Sequence, residues 1–157
     1  MILESIIIGI IGTLAMDLWA LILSNGFKVH TTNWGMVGRW FGHMPRGVFV
    51  HRPISESSPI PYEKIIGWGM HYAIGIFYGL LYLYIVLVLM SSTPTFLSAL
   101  IFALATLIAP WFMLQPGLGF GVFARKAPHP YALRLISISM HAVFGCGLYL
   151  GCLLLGI

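Results

Sequence analysis

Apolar residues fall into four long segments that are separated by more polar stretches. Each segment has about the length that a helix needs to cross a bilayer, roughly 20 residues. The pattern predicts an all-α integral membrane protein, a four-helix bundle that forms a single domain over residues 1–157. The predicted spans are residues 5–24, 65–90, 95–114 and 133–157.

The loops between these spans differ in charge. Residues 91–94 form a short uncharged connection, so spans two and three are predicted to form a tight helical hairpin. Nearly all lysines and arginines lie in the two longer connections, residues 25–64 and 115–132. Because cytoplasmic loops are enriched in these residues, both basic loops are predicted to face the cytoplasm and both termini to lie outside.

Spans two and four share a short motif that suggests an internal repeat. Residues 70–75 read MHYAIG, and residues 140–145 read MHAVFG. Spans one and three each contain a Thr and a Trp at similar positions. The bundle is therefore interpreted as two repeated helical hairpins, with chance similarity between apolar segments as the alternative.

The composition excludes an ordinary soluble domain and indicates lipid as a partner. Hydrophobic residues make up 59% of the chain and charged residues 8%, whereas soluble domains average about 25% charged. The net charge is +4, and the lysines and arginines that produce it lie in loops beside the spans. No run of basic residues predicts nucleic-acid binding. The sequence leaves open a homo-oligomer or a larger membrane complex.

Cys146 and Cys152 are interpreted as small core residues of one span.

Asp17 lies within the first apolar segment, where a carboxylate is costly. Insertion scales assign about 2.5–3.5 kcal/mol to such a residue at the centre of a span. By helix rise, Asp17, His71 and His141 should lie roughly 10 Å from the cytoplasmic ends of their spans, in one layer. Gln115 closes the third span on the same side. We therefore expect Asp17 to pair with His71 or His141.

Small residues recur at intervals of four around these polar residues, which places them on interior faces. The three stripes are Gly9-Thr13-Asp17, Gly67-His71-Gly75-Gly79 and Ser137-His141-Gly145.

Three interpretations of this polar layer remain open. It is a hydrogen-bonded cluster that holds helices together, a proton or cation site on a transport path, or a haem b site with His71 and His141 as axial ligands. Two imidazoles and the Asp17 carboxylate also form a donor set suited to a divalent cation. The candidate ligand-binding residues are Asp17, His71, His141 and Gln115.

No nucleophile–base arrangement is recognisable, so no catalytic residue is assigned and an enzyme is not the favoured class. The main alternative function is a non-catalytic scaffold subunit of a larger membrane complex.

The first basic loop contains its own predicted helix. Thr32 or Asn33 is expected to cap a short segment that places Trp34, Val37 and Phe41 on one side, at the membrane interface. The remaining histidines lie in loops and are expected to be solvated. They are His30, His43, His51 and His129.

Several short motifs together resemble a bacterial family of small four-span inner-membrane proteins known only as a domain of unknown function. These motifs are Gly12-Thr13, Met16-Asp17-Leu18-Trp19, Gly38-Arg39-Trp40, Gly67-Trp68, His71-Tyr72, Gln115-Pro116 and His141. The resemblance covers nearly the whole chain and implies four spans in a bacterial inner membrane. It implies no activity, and it assigns no role to any residue.

The predicted orientation can be tested with single cysteines. Ser57→Cys and Ser92→Cys are introduced separately into a chain whose two native cysteines are replaced by alanine. Position 92 should react with a membrane-impermeant maleimide in intact cells, and position 57 only after permeabilisation. Labelling of position 57 in intact cells would contradict the orientation.

Overall fold

A computed structural model describes residues 1–157, and the structure is all-helical, as predicted. The helices are α1 (Ile2–Phe27), α2 (Trp34–His43), α3 (Glu63–Leu89), α4 (Phe96–Leu118) and α5 (Pro130–Leu155). Short 3₁₀ turns occupy Met44–Arg46, Ile54–Glu56 and Val122–Ala124.

Four of the helices are long and apolar enough to cross a membrane, which confirms the predicted number of spans. They contain 23 to 27 residues and have mean hydropathies between 1.8 and 2.3. Their ends differ from the predicted ones by a few residues. The helix α4 contains a π-helical turn, Pro110–Leu114, and continues beyond its predicted end at residue 114 to Leu118. The helix α5 begins earlier, at Pro130, because proline fits the first turn, where its missing N–H is not needed.

Local capping explains where α2 and α4 begin. The Asn33 side chain accepts hydrogen bonds from the backbone N–H groups of Gly35 and Met36, at 3.0 and 3.3 Å. Thr95 and Ser98 form a reciprocal capping box at the start of α4. The sequence-based choice of Thr32 or Asn33 as the cap of α2 is therefore settled in favour of Asn33.

The chain packs as two compact units. Unit one contains residues 1–31, 71–106 and 138–157, and unit two contains residues 32–70 and 107–137. Each has buried apolar residues of its own. The cores of the two units are centred on Ile8, Tyr82 and Phe144 in unit one, and on Trp40, Ile54 and Leu118 in unit two.

In unit one, α1 and α3 approach closely at glycines. A Cβ atom at Gly9 would lie 2.5 Å from the carbonyl oxygen of Gly75, and one at Gly75 would overlap Thr13 Oγ1. A Cβ at Gly145 would lie 3.0 Å from Ala103 Cβ and from the Ala99 carbonyl oxygen. Small residues therefore allow backbone approach, as expected between helices in membranes. The prediction that these glycines lie on interior faces is confirmed.

The two cysteines of α5 lie in different environments. Cys152 is fully buried in the core of unit one, whereas Cys146 is exposed, and both thiols are free. The interpretation of Cys146 as a core residue is thus wrong. Six positions along an α-helix correspond to about 600° of rotation, so the two side chains point in different directions.

In unit two, α2 lies against the start of α3. A Cβ at Gly38 would overlap the Glu63 carbonyl oxygen, and one at Gly67 would overlap the Trp34 carbonyl oxygen. The amphipathic α2 buries Val37 and leaves 3% of it exposed. The predicted short helix of the first loop is confirmed.

Arg39 on α2 organises the loop that follows. Its guanidinium forms a two-point ion pair with Glu63, at 2.9 and 3.0 Å, and also donates to the carbonyl oxygens of Ile54 and Ser57. The hydrogen-bonded Glu63 carboxylate raises the pKa of Arg39. One planar side chain thus joins α2, the 3₁₀ turn at Ile54 and the start of α3, a geometry that lysine does not reproduce.

The close approach of α1 and α3 predicts opposite effects for two Gly→Ala changes on α3. Gly75→Ala should destabilise the protein by about 1–3 kcal/mol, because the new methyl group overlaps Thr13. Gly69→Ala should be neutral or stabilise by up to about 1 kcal/mol, because nothing lies within 4 Å and alanine favours the helix. The free energy of unfolding of each detergent-solubilised variant, compared with that of the wild type, measures both effects. Equal effects at the two positions would contradict the packing.

Candidate functional site

Asp17 is held between two side chains of α3. His71 Nε2 lies 2.9 Å from Asp17 Oδ1, and the Tyr72 hydroxyl donates to Asp17 Oδ2 at 2.7 Å. The Asp17 side chain is 18% exposed and the His71 side chain 7%. Asp17 is roughly 15 Å from the carboxyl end of α1, so the cluster lies well inside that helix. The predicted pairing of Asp17 with His71 is confirmed.

The pairing follows from the antiparallel register of α1 and α3. Thr13 faces Gly75, and one turn further from Asp17, Gly9 faces Gly79. Extending this register by one turn in the other direction brings Asp17 opposite His71. The glycines bring the two backbones together, so short side chains on these faces can reach each other.

The cluster can hold a proton in more than one place. An ionised Asp17 accepts from Tyr72 and from His71 Nε2–H, whether the imidazole is neutral or cationic. If a protonated His71 gives its Nε2 proton to the carboxylate, Asp17 donates and the nitrogen of the now neutral imidazole accepts. The 2.9 Å contact serves every one of these states. The geometry therefore fits proton transfer between the two side chains without movement of either helix.

Sequence reasoning missed Tyr72 as a member of this cluster. Neighbouring residues on a helix point about 100° apart, so helical spacing alone assigns Tyr72 to a different face from His71. The two rings stand edge to face with centroids 5.5 Å apart, and their polar ends reach the two oxygens of one carboxylate. The sequence signal that could have indicated Tyr72 was its position directly after the histidine expected to pair with Asp17.

The predicted places of His141 and Gln115 in this layer stay predictions. His141 is half-buried on α5, and near it the Trp19 indole donates to Ser139 Oγ at 3.0 Å. The hydrogen-bond partners of Asp17 are His71 and Tyr72. No group of three or more His, Cys, Asp or Glu side chains is arranged to hold a metal ion. Metal binding by Asp17, His71 and His141 stays a prediction that this geometry does not strengthen.

Gln115 belongs to unit two, at the last turn of α4. It is 8% exposed, and its Oε1 atom is buried without a hydrogen-bond partner. Trp111 Nε1, four residues earlier, is also buried without one. The predicted place of Gln115 in the layer of Asp17 stays a prediction.

Two loop histidines differ from their predicted surroundings. His30 and His129 are exposed, as expected. His43 and His51 are only 7% and 6% exposed, so the prediction that they are solvated is wrong. Their rings are hydrogen-bonded to each other in unit two, with His43 Nδ1 and His51 Nε2 2.9 Å apart. The Gly- and Pro-rich sequence around them indicated a loop, and it carried no signal that the loop folds over its histidines.

Comparison with known proteins identifies the family of the chain and no function. Residues 6–155 match the model of a family described as a protein of unknown function, DUF2938. The match covers nearly the whole chain, so the chain belongs to this family, and the resemblance inferred from its motifs is confirmed. No curated protein and no solved structure matches the chain.

The two hydrogen bonds to Asp17 predict a measurable role for Tyr72. Tyr72→Phe should lower the unfolding free energy by about 0.6–1.7 kcal/mol, the range found for hydrogen bonds between membrane helices. Tyr84→Phe is the matched control, because Tyr84 lies on the same helix and is 46% exposed. Unfolding in mixed detergent measures both variants. A Tyr72→Phe variant as stable as Tyr84→Phe would contradict the assigned bond.

Proposed function

We propose that this member of the DUF2938 family is a small inner-membrane protein that binds a proton at Asp17 and His71 and transports protons. The single observation that carries the proposal is the hydrogen-bonded carboxylate and imidazole inside two apolar helices. Ionisable residues within membrane spans are costly, and they commonly mark ion pathways and proton relays. The orientation with both basic loops in the cytoplasm is part of this proposal.

A purely structural role accounts less well for the cluster. Hydrogen bonds between membrane helices are worth about 0.6 kcal/mol on average, which is well below the cost of inserting an aspartate. The crossing of α1 and α3 already has close glycine contacts that need no charged group. A titratable pair at this position is therefore better explained by use of its proton than by adhesion between the helices.

The donor set favours a proton over the other ligands considered. His71 Nε2, one of the two ring nitrogens that could bind haem iron or a metal ion, is engaged with Asp17. Tyr72 donates to the second carboxylate oxygen, so both oxygens of Asp17 already accept hydrogen bonds. A metal or haem iron would have to displace these contacts, whereas a proton fits within them.

The proposal is tested by proton flux into liposomes. The purified protein is reconstituted with a pH-sensitive dye inside, and a potassium diffusion potential drives proton entry. The wild-type protein should acidify the lumen above the rate of empty liposomes. Asp17→Asn keeps the shape of the side chain and removes its charge. The variant should therefore fold, and its rate of acidification should be at least tenfold lower than that of the wild type.

Glu4→Gln is the matched control, because Glu4 is the other carboxylate of α1 and lies at its exposed start. It should leave the flux unchanged. An inactive wild-type protein, or an Asp17→Asn variant as active as the wild type, would contradict proton transport. A Soret band in the purified protein would replace it with haem binding, and a stoichiometric co-purifying protein together with absent flux would replace it with a scaffold role.

A further inference from the structure

Unit two contains a second pair of buried titratable side chains. His43 is the last residue of α2, and His51 lies in the segment that follows. Their ring centroids are 5.1 Å apart, and His43 Nδ1 is 2.9 Å from His51 Nε2. The other nitrogen of His51, Nδ1, lies 3.1 Å from the Gly117 carbonyl oxygen. The two imidazoles and one carbonyl thus form a continuous hydrogen-bonded chain.

The carbonyl at its end determines where the protons are. A carbonyl oxygen only accepts, so His51 Nδ1 must donate its proton to Gly117. A neutral His51 then has a lone pair on Nε2, and His43 must donate from Nδ1 to fill the 2.9 Å contact. In the neutral pair both rings therefore carry their proton on Nδ1, and the remaining basic nitrogen is His43 Nε2.

The same chain accepts one additional proton without losing a bond. Protonation of His43 at Nε2 leaves its Nδ1–H donating to His51, and His51 still donates to Gly117. A second additional proton cannot be placed in this way, because both facing nitrogens would then carry hydrogen. Two cations in contact also repel each other. The geometry therefore admits one extra proton and not two.

The surroundings favour the positive charge at His43. His43 ends α2, and the carbonyl groups at the carboxyl end of a helix stabilise a cation. Neither ring forms an ion pair with a carboxylate. Arg39, on the same helix, is neutralised by Glu63, and the last turn of α4, Gln115–Leu118, carries no charge. Arg134 is half-buried and donates to the Phe123 carbonyl oxygen. The remaining charged side chains on or next to the elements around the pair are exposed: Arg46, Arg52, Glu56, Lys64, Arg125 and Lys126.

We propose that His43 and His51 form a proton-binding site that is separate from Asp17 and takes up a single shared proton. The site also holds the segment containing His51 to the end of α4, since the His51 backbone N–H donates to the same Gly117 oxygen at 3.0 Å. A second proton removes the hydrogen bond between the two rings, whereas both hydrogen bonds from His51 to Gly117 remain. The pair is thus a proton-binding site whose rings separate from each other when both are protonated.

The test is ¹⁵N NMR of histidine side chains in the full-length, detergent-solubilised protein. At alkaline pH, His51 and His43 should both show a protonated Nδ1 and an unprotonated Nε2. On acidification, the pair should first take up one proton as a unit, with both rings shifting together. His30, which is exposed, supplies the reference signal of a solvated histidine in the same spectra.

Single variants assign the NMR signals to individual histidines and show how each ring behaves without its partner. In His51→Gln, His43 should titrate alone, and its resonances should no longer follow those of a second ring. His30→Gln should leave the paired titration unchanged. If the variants do not fold, the wild-type spectra still decide the matter through the tautomer of each ring.

Three results would overturn the proposal. They are a protonated Nε2 on neutral His51, two independent one-proton titrations for the pair, and stoichiometric Zn²⁺ binding at the facing nitrogens. The last result would make the site a metal site. None of these measurements involves Asp17, so failure here is distinguishable from failure of the transport assay.

Discussion

A carboxylate inside an apolar helix constrains the helices around it, because hydrocarbon offers no water to solvate the charge. In this protein the constraint is met by α3, which presents an imidazole and a phenol to the two oxygens of Asp17. That arrangement requires the backbones of α1 and α3 to lie close together. Glycines on both helices make the approach possible, and the antiparallel register fixes which side chains meet. In unit one, the hydrogen bonds to Asp17 therefore depend on the close glycine packing of α1 and α3.

The predictable part of this structure is the part that helical periodicity controls. The four spans follow from hydropathy, and Asp17 meets His71 because both belong to stripes of small residues with a spacing of four. Asn33 was one of two candidate caps, and side-chain chemistry does not separate Asn from Thr strongly at that position. The exact ends of the spans were missed because the helices continue into less apolar residues, as at Pro130 and at Gln115–Leu118.

Features that depend on tertiary contacts were not predictable in the same way. His43 and His51 are eight residues apart on a turn-rich segment, and only the folded loop brings their nitrogens together. Tyr72 shares Asp17 with His71 because the carboxylate has two oxygens, a geometric fact that spacing along one helix does not contain. Arg39 is similar, since its four hydrogen bonds reach residues 15 to 24 positions away. These contacts join separate segments, so a pattern within any one segment cannot reveal them.

The Asp17–His71 pair and the His43–His51 pair differ in the net charge that they carry when protonated, and each charge suits its surroundings. A carboxylate beside a protonated imidazole has no net charge, which is the least costly way to keep an ionisable pair inside a span. Two imidazoles with one extra proton carry a net positive charge, and nothing in the pair offsets it. His43 and His51 lie outside the four spans, on a segment with exposed charged residues, and His43 ends a helix whose carboxyl terminus favours a cation. Asp17 therefore belongs with His71 within the membrane, whereas a pair made of histidines alone is suited to the loop.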